Sequence, residues 1–186
     1  MLSGDTQIKL VVVDLDGTLL NSESQLSERN EKALKAAMDK GVQVVIATGK
    51  TRYSATDVIK RLGLTTPGIY LQGLAIYNAD GTIGHQQTLD AGLARQVITF
   101  AEDRGFDVVA YSGSRILVKQ ANPKGDELAA KYGEPVPEAV GPLQNILGEM
   151  AIHKLIVTKA NDARKVKALR WQLSKQIDTK GRLVQA

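Results

Sequence analysis

The sequence predicts an α/β protein: a parallel-sheet core, followed by a second α/β unit. Three observations carry this. Leu10-Val11-Val12-Val13 is a short, mostly β-branched run, apolar on both faces, as in a strand buried inside a parallel sheet. A helical segment ended by Gly41 separates it from a second such run, Val42 to Ala47, which makes a strand–helix–strand unit. From about Leu89 the alternation of helices and strands starts again, now with a hairpin inside it. The division falls between residues 1–86 and 87–186.

Composition narrows the classes. The 186 residues suffice for one ordinary domain or two small ones, and the 43% hydrophobic and 24% charged content is that of a globular chain. There is no cysteine, so no disulfide framework exists, and the cytoplasm is the expected compartment. Met1 to Thr6 is short and polar, without the features of a signal or transit peptide. A targeting segment removed earlier would make organelle stroma or matrix the alternative. No apolar run reaches membrane-spanning length.

The net charge of +4 is unevenly placed. Ile152 to Ala186 holds nine Lys/Arg against two Asp/Glu, net +7, and the remainder, 15 against 18, is net −3. A solvated helix face accounts for such an excess, and so does a surface attracting anionic substrates or RNA. No nucleic-acid signature accompanies it, so nucleic acid is not expected as a partner, nor is a membrane.

The elements follow in order. The first strand covers residues 8 to 14. Ser27 is an N-cap, with Asn30 where a capping box has Glu or Gln. The helix runs to about Lys40, burying Ala33, Leu34, Ala37 and Met38. After the second strand, Thr51 to Leu62 is helical and ended by Gly63, and Ile69-Tyr70-Leu71 is a third strand. Ala75-Ile76-Tyr77, the turn Asn78-Ala79-Asp80-Gly81, and Thr82-Ile83 form a hairpin. In the second unit Ala91 to Arg104 is an amphipathic helix stopped by Gly105. A hairpin turns at Ser112-Gly113-Ser114, and Pro123 to Tyr132 is helical. Pro135 to Pro142 is a loop and Ile152 to Val157 a strand. Asp162 caps a helix with Val166, Leu169, Leu173 and Ile177 on one face, and Arg182-Leu183-Val184 starts a last strand.

Chemistry concentrates where the first strand ends. Asp14 and Asp16 stand two apart, with Leu15 between them and Gly17 after. In open α/β sheets, ligands sit at the carboxyl ends of the strands. If Leu15 points away, both carboxylates face one pocket, where one can attack and the other can move protons. Mg²⁺ between them would relieve their repulsion and bind a phosphate oxygen. At the end of the second strand, Thr48-Gly49-Lys50 offers a hydroxyl and backbone N–H groups suited to a phosphate. Arg52 could add a planar guanidinium that Lys50 lacks.

The string Val13-Asp14-Leu15-Asp16-Gly17-Thr18-Leu19-Leu20-Asn21-Ser22 resembles motif I of the haloacid dehalogenase-like superfamily, specifically its Cof-type branch. Thr48-Gly49-Lys50 resembles motif II, with Lys in place of the usual Arg, and Gln72-Gly73-Leu74 stands where Asn-Gly-Ala is usual. The order of elements from Leu89 resembles the family's α/β (type IIB) cap.

The resemblance implies a partial Rossmann-like core in residues 1–86 and an α/β cap in 87–186. It implies a Mg²⁺-dependent phosphatase acting on a small phosphorylated metabolite such as a sugar phosphate. Asp14 would be the nucleophile and Asp16 the acid/base, with both at the metal. Thr48, Gly49 and Lys50 would bind phosphate, and Arg52 substrate. The family's later motifs, a lysine and a Gly-Asp strand end, match no segment here. The expectation is therefore a chain truncated before them, inactive alone, with an uncovered edge on its first strand. That edge would be met by a second copy or by a missing C-terminal half. A non-catalytic interaction or regulatory module is the alternative.

His85 and His153 lack companions at metal-ligand spacing and read as structural. Trp171 reads as a partly buried packing residue, and Lys124-Gly125-Asp126-Glu127 as a helix start.

Overall fold

The computed structural model describes residues 7–158, 163–177 and 181–184. The N-terminal hexapeptide and the expected Asp162 cap lie outside the described residues. The chain divides into two compact units. One comprises Met1–Gln86 with Ala130–Glu134, the other Gln87–Ala129 with Pro135–Ala186.

In the first unit, β1 (Leu10–Val13) pairs in parallel with β2 (Gln43–Ile46), in register from Leu10 opposite Gln43 to Val13 opposite Ile46. Helix α1 (Glu28–Met38) makes the crossover. Ser27 caps it as expected, its Oγ accepting the Asn30 N–H at 3.2 Å. The Asn30 side chain does not close a capping box. It donates instead to the Leu19 carbonyl at 3.0 Å, tying the helix to the loop after β1.

Helix α1 is also less buried than its periodicity predicts. Ala33 is exposed, and Leu34, Ala37 and Met38 are half-buried. The same holds for β1. Leu10 is 51% and Val12 54% exposed, since the alternating strand places both on one face that no described element covers, and β2 is its one strand partner among the described residues.

The segment after β2 is a 3₁₀ turn (Tyr53–Ala55) running into α2 (Thr56–Leu62), not one helix from Thr51. Gly63 ends α2 at φ +65, a left-handed position, with the Leu64 N–H reaching the Ile59 carbonyl. β3 (Gly68–Tyr70) joins β2 through a parallel bridge of Ala47 with Ile69. It then opens an antiparallel meander with β4 (Ala75–Tyr77) and β5 (Ile83–Gln86). Leu15, Leu19, Ile46, Val58, Leu62 and Leu71 fill the interior.

The second unit is a four-stranded sheet in the order β8-β7-β6-β9. Its strands are β6 (Asp107–Ser112), β7 (Arg115–Val118), β8 (Glu138–Ala139) and β9 (Lys154–Thr158). β8 lies inside the expected Pro135–Pro142 loop: two residues add in parallel to the edge of β7.

Helices α3 (Ala91–Glu102) and α5 (Ala163–Ile177) share one core with the sheet. In it Ile98, Ala101, Leu169 and Leu173 meet Val108, Ala110 and Leu117. This is the buried face that the periodicity of α5 predicts. Helix α4 spans Pro123–Tyr132, and Asn122 begins it by accepting the Lys124 N–H on Oδ1. Arg182–Val184 forms no strand. None of its three residues appears in the ladders of the sheet. No helix among the described residues is long and apolar enough to cross a membrane.

Candidate active site

β1 ends at Asp14, and the chain turns at once through Leu15–Leu19. Leu15 and Leu19 are buried and anchor the turn from beneath, while Asp14, Asp16, Gly17 and Thr18 stay exposed. Three local features shape it. Asp14 Oδ1 accepts the Leu15 N–H at 2.7 Å, the Leu20 N–H closes on the Leu15 carbonyl at 2.8 Å, and Gly17 takes φ +67. That φ lies in the left-handed region where a Cβ is penalised. With Leu15 turned inward, both carboxylates are left on the solvent side of the strand end, as the spacing requires.

β2 delivers the second group of residues beside the first, because adjacent parallel strands end at the same edge of the sheet. Thr48, Lys50 and Thr51 are all buried. Thr48 Oγ1 accepts the Lys50 N–H at 3.3 Å. The Lys50 ammonium lies 2.9 Å from Asp16 Oδ1 and donates to the Tyr132 carbonyl at 2.6 Å. Lys50 is thus the ion-pair partner of the second carboxylate.

Next to it, the Glu134 carboxylate accepts from the Thr51 hydroxyl at 2.6 Å and the Ser54 hydroxyl at 2.8 Å. The segment 130–134 therefore closes on the loop after β2.

Arg52 goes elsewhere. Its guanidinium reaches the Ala79 carbonyl at 3.4 Å and lies 5.9 Å from the centroid of the Tyr77 ring, at the β4–β5 hairpin. Tyr70 packs edge-on against Tyr77, and burial pushes its phenol above the usual tyrosine range, with the Arg52 charge opposing.

Three participants are not among the site residues expected from the sequence. Gln72 follows Leu71 in a turn where both have positive φ, +53 and +61, an arrangement that non-glycine residues adopt only under constraint. Gln72 lies against Gly49, where an added Cβ would sit 3.2 Å from its Cγ, so the glycine permits the approach. The departure at Gln72 from the family's usual Asn was its one sequence signal. Glu134 and the Tyr132 carbonyl carry none, since they lie 83 and 82 residues from their partners.

Among the described residues, no group of three or more His, Cys, Asp or Glu converges as a metal cage. Asp14 and Asp16 supply hard carboxylate oxygens on an exposed edge. That suits an ion held by one or two carboxylates and the substrate's own phosphate, as Mg²⁺ is.

A family model for haloacid dehalogenase-like hydrolases matches residues 11–185. The chain is 36% identical over 155 residues to the chloroplastic endoribonuclease YBEY of Arabidopsis thaliana, covering 78% of this chain and 26% of that protein. It is 34% identical over 113 residues to the phosphatase YwpJ of Bacillus subtilis, covering 61% of this chain and 40% of that one. Its fold matches a crystal structure of a haloacid dehalogenase-like hydrolase from Bacteroides thetaiotaomicron with a TM-score of 0.83 at 21% identity, over 97% of this chain and 68% of the other. The chain thus spans about a quarter to two fifths of these two curated relatives. Motif, match and fold agree, and the chain belongs to the haloacid dehalogenase-like hydrolase family.

Proposed function

We propose that this chain carries the nucleophile half of a Mg²⁺-dependent phosphomonoesterase acting on a small phosphorylated metabolite such as a sugar phosphate. The observation that carries the reading is the pair of exposed carboxylates, Asp14 and Asp16, at the end of β1, with the Thr48–Lys50 loop of β2 beside them. The phosphatase name borne by a relative supports it.

The chain's own groups divide the work. A carboxylate oxygen of Asp14 attacks phosphorus, and the ester P–O bond breaks. Asp16 enters this step in its acid form, released from the Lys50 ion pair, and gives its proton to the leaving alkoxide. Asp16 then takes a proton from water, whose oxygen attacks the aspartyl phosphate, releasing inorganic phosphate and restoring Asp14. Thr48 and the backbone of Gly49 hold phosphate oxygens. Asp14 and Asp16 would hold the Mg²⁺, which when bound would neutralise charge at the phosphoryl group.

Asp14→Asn in the full-length protein tests this. Turnover of phosphomonoesters is expected to vanish while the fold persists, because the amide keeps the oxygen that accepts the Leu15 N–H. Turnover surviving the change would exclude the aspartyl-phosphate route.

A second reading is a non-catalytic interaction or regulatory module. It is favoured by the Lys50 ammonium, which lies 2.9 Å from Asp16 Oδ1 and occupies the carboxylate that the reaction needs. The two readings separate on the same assay: a module shows no turnover in the full-length protein before any substitution is made.

A further inference from the structure

We propose that the solvent face of α5 is a binding surface for single-stranded nucleic acid. It lies in the second unit and is independent of the chemistry at Asp14 and Asp16. Ala163–Ile177 contains Arg164, Lys165, Lys167, Arg170 and Lys175 and no carboxylate. Leu169, Leu173 and Ile177 turn inward and are buried.

On the opposite side Arg164, Lys167, Trp171 and Lys175 follow one another at three- and four-residue spacing, all exposed. That spacing makes a nearly straight ridge, with steps of about 6 Å per four residues. Trp171 sits in its middle at 60% exposure, not as the packing residue its size suggests. The Lys175 ammonium lies 3.7 Å from the centroid of its ring, which fixes the indole.

A solvated helix face explains the cations but not a large aromatic held among them. An exposed ring flanked by cations is what an unpaired base and its neighbouring phosphates require: the ring stacks on the base and the cations meet the backbone. An acidic peptide would use the cations and leave the ring idle. A bilayer would need an apolar helix face, and that of α5 is already in the core. The sequence alone shows the basic excess but not the open ring, because periodicity places Trp171 opposite the core face without setting its 60% exposure.

Trp171 is the chain's one tryptophan, so its emission reports on the ridge directly. The test is titration of the chain with a short oligouridylate, read by that emission and by anisotropy of a labelled oligonucleotide. Saturable quenching is expected. Three phosphate contacts, through Arg164, Lys167 and Lys175, give log K against log salt a slope of about −2. Lys167→Gln should reduce the slope by about 0.7. Trp171→Leu, read by anisotropy, should weaken binding roughly tenfold. Far-UV circular dichroism checks that both variants stay folded. Absent quenching, a slope unmoved by Lys167→Gln, or equal quenching by anionic phospholipid vesicles would each overturn the proposal.

Discussion

The ammonium of Lys50 lies 2.9 Å from Oδ1 of Asp16 and joins the end of β2 to the turn after β1. The two partners differ in setting: the Lys50 side chain is 10% exposed and that of Asp16 49%. Lys50 also donates to the Tyr132 carbonyl, so one buried cation fixes the second carboxylate and the segment 130–134 together.

Lys50→Met keeps the stem and removes the head. Water can reach the half-exposed Asp16, so the larger loss is the hydrogen bond to the Tyr132 carbonyl. Destabilisation of about 1–3 kcal/mol is expected, read as a lowered urea midpoint. Lys50→Arg keeps the charge but not its point geometry, and should fall between the two. An unchanged midpoint in Lys50→Met would show that the pair adds nothing to stability.

This chain by itself is expected to show little turnover of a generic aryl phosphate. The chain covers 26% and 40% of two relatives' own lengths, and a site that leaves a pre-placed electrostatic group to further residues typically loses on the order of a hundredfold to a thousandfold without it. Rates of ordinary enzymes from the purified chain would refute this.

The outer edge of β1 should drive association. Among the described residues β1 pairs with β2 alone, and its Leu10 and Val12 are 51% and 54% exposed; such apolar edges recruit further strands. Light scattering on the isolated chain should show species above monomer mass, and Val12→Lys should return them toward monomer. A monodisperse monomer whose Leu10–Val13 amides resist hydrogen exchange would mean the edge is covered another way.

His153 makes the second unit acid-sensitive. It is buried, its Nδ1 accepts the Gly113 N–H at 3.1 Å, and burial holds the imidazole below its ordinary 6.5, with the Tyr111 and Ala151 backbones opposing. The unfolded chain binds this proton at a higher pH than the folded one. The neutral imidazole's contribution is therefore complete above about pH 6.5 and lost as pH falls below it, by at most about 1.4 kcal/mol per pH unit. His153→Gln should flatten that part of the stability profile. An unchanged slope would assign it to carboxylates.

Much of the molecule follows from local rules. The β-branched run of Leu10–Val13, the Ser27 cap, the glycine after α2 and the inward stripe of α5 are near-neighbour effects, and each lies where its residues put it. The pair Asp14 and Asp16, with Leu15 turned under, was legible for the same reason: strand alternation acts between adjacent residues. Other outcomes depended on which distant segments met. Asn30 reached Leu19 instead of closing a capping box, Arg52 went to the hairpin, and Leu10 and Val12 stayed exposed because no described element packs on their face of the strand.

The sequence by itself determined the α/β class, the order of elements, the family motif and the two carboxylates. Only the tertiary structure decided that Lys50 pairs with Asp16, that Glu134 closes on Thr51 and Ser54, and that Trp171 stands in solvent. Propensity, capping and periodicity act over about four residues. Pairing a buried cation or covering an indole depends on a partner tens of residues away, and no local pattern names it.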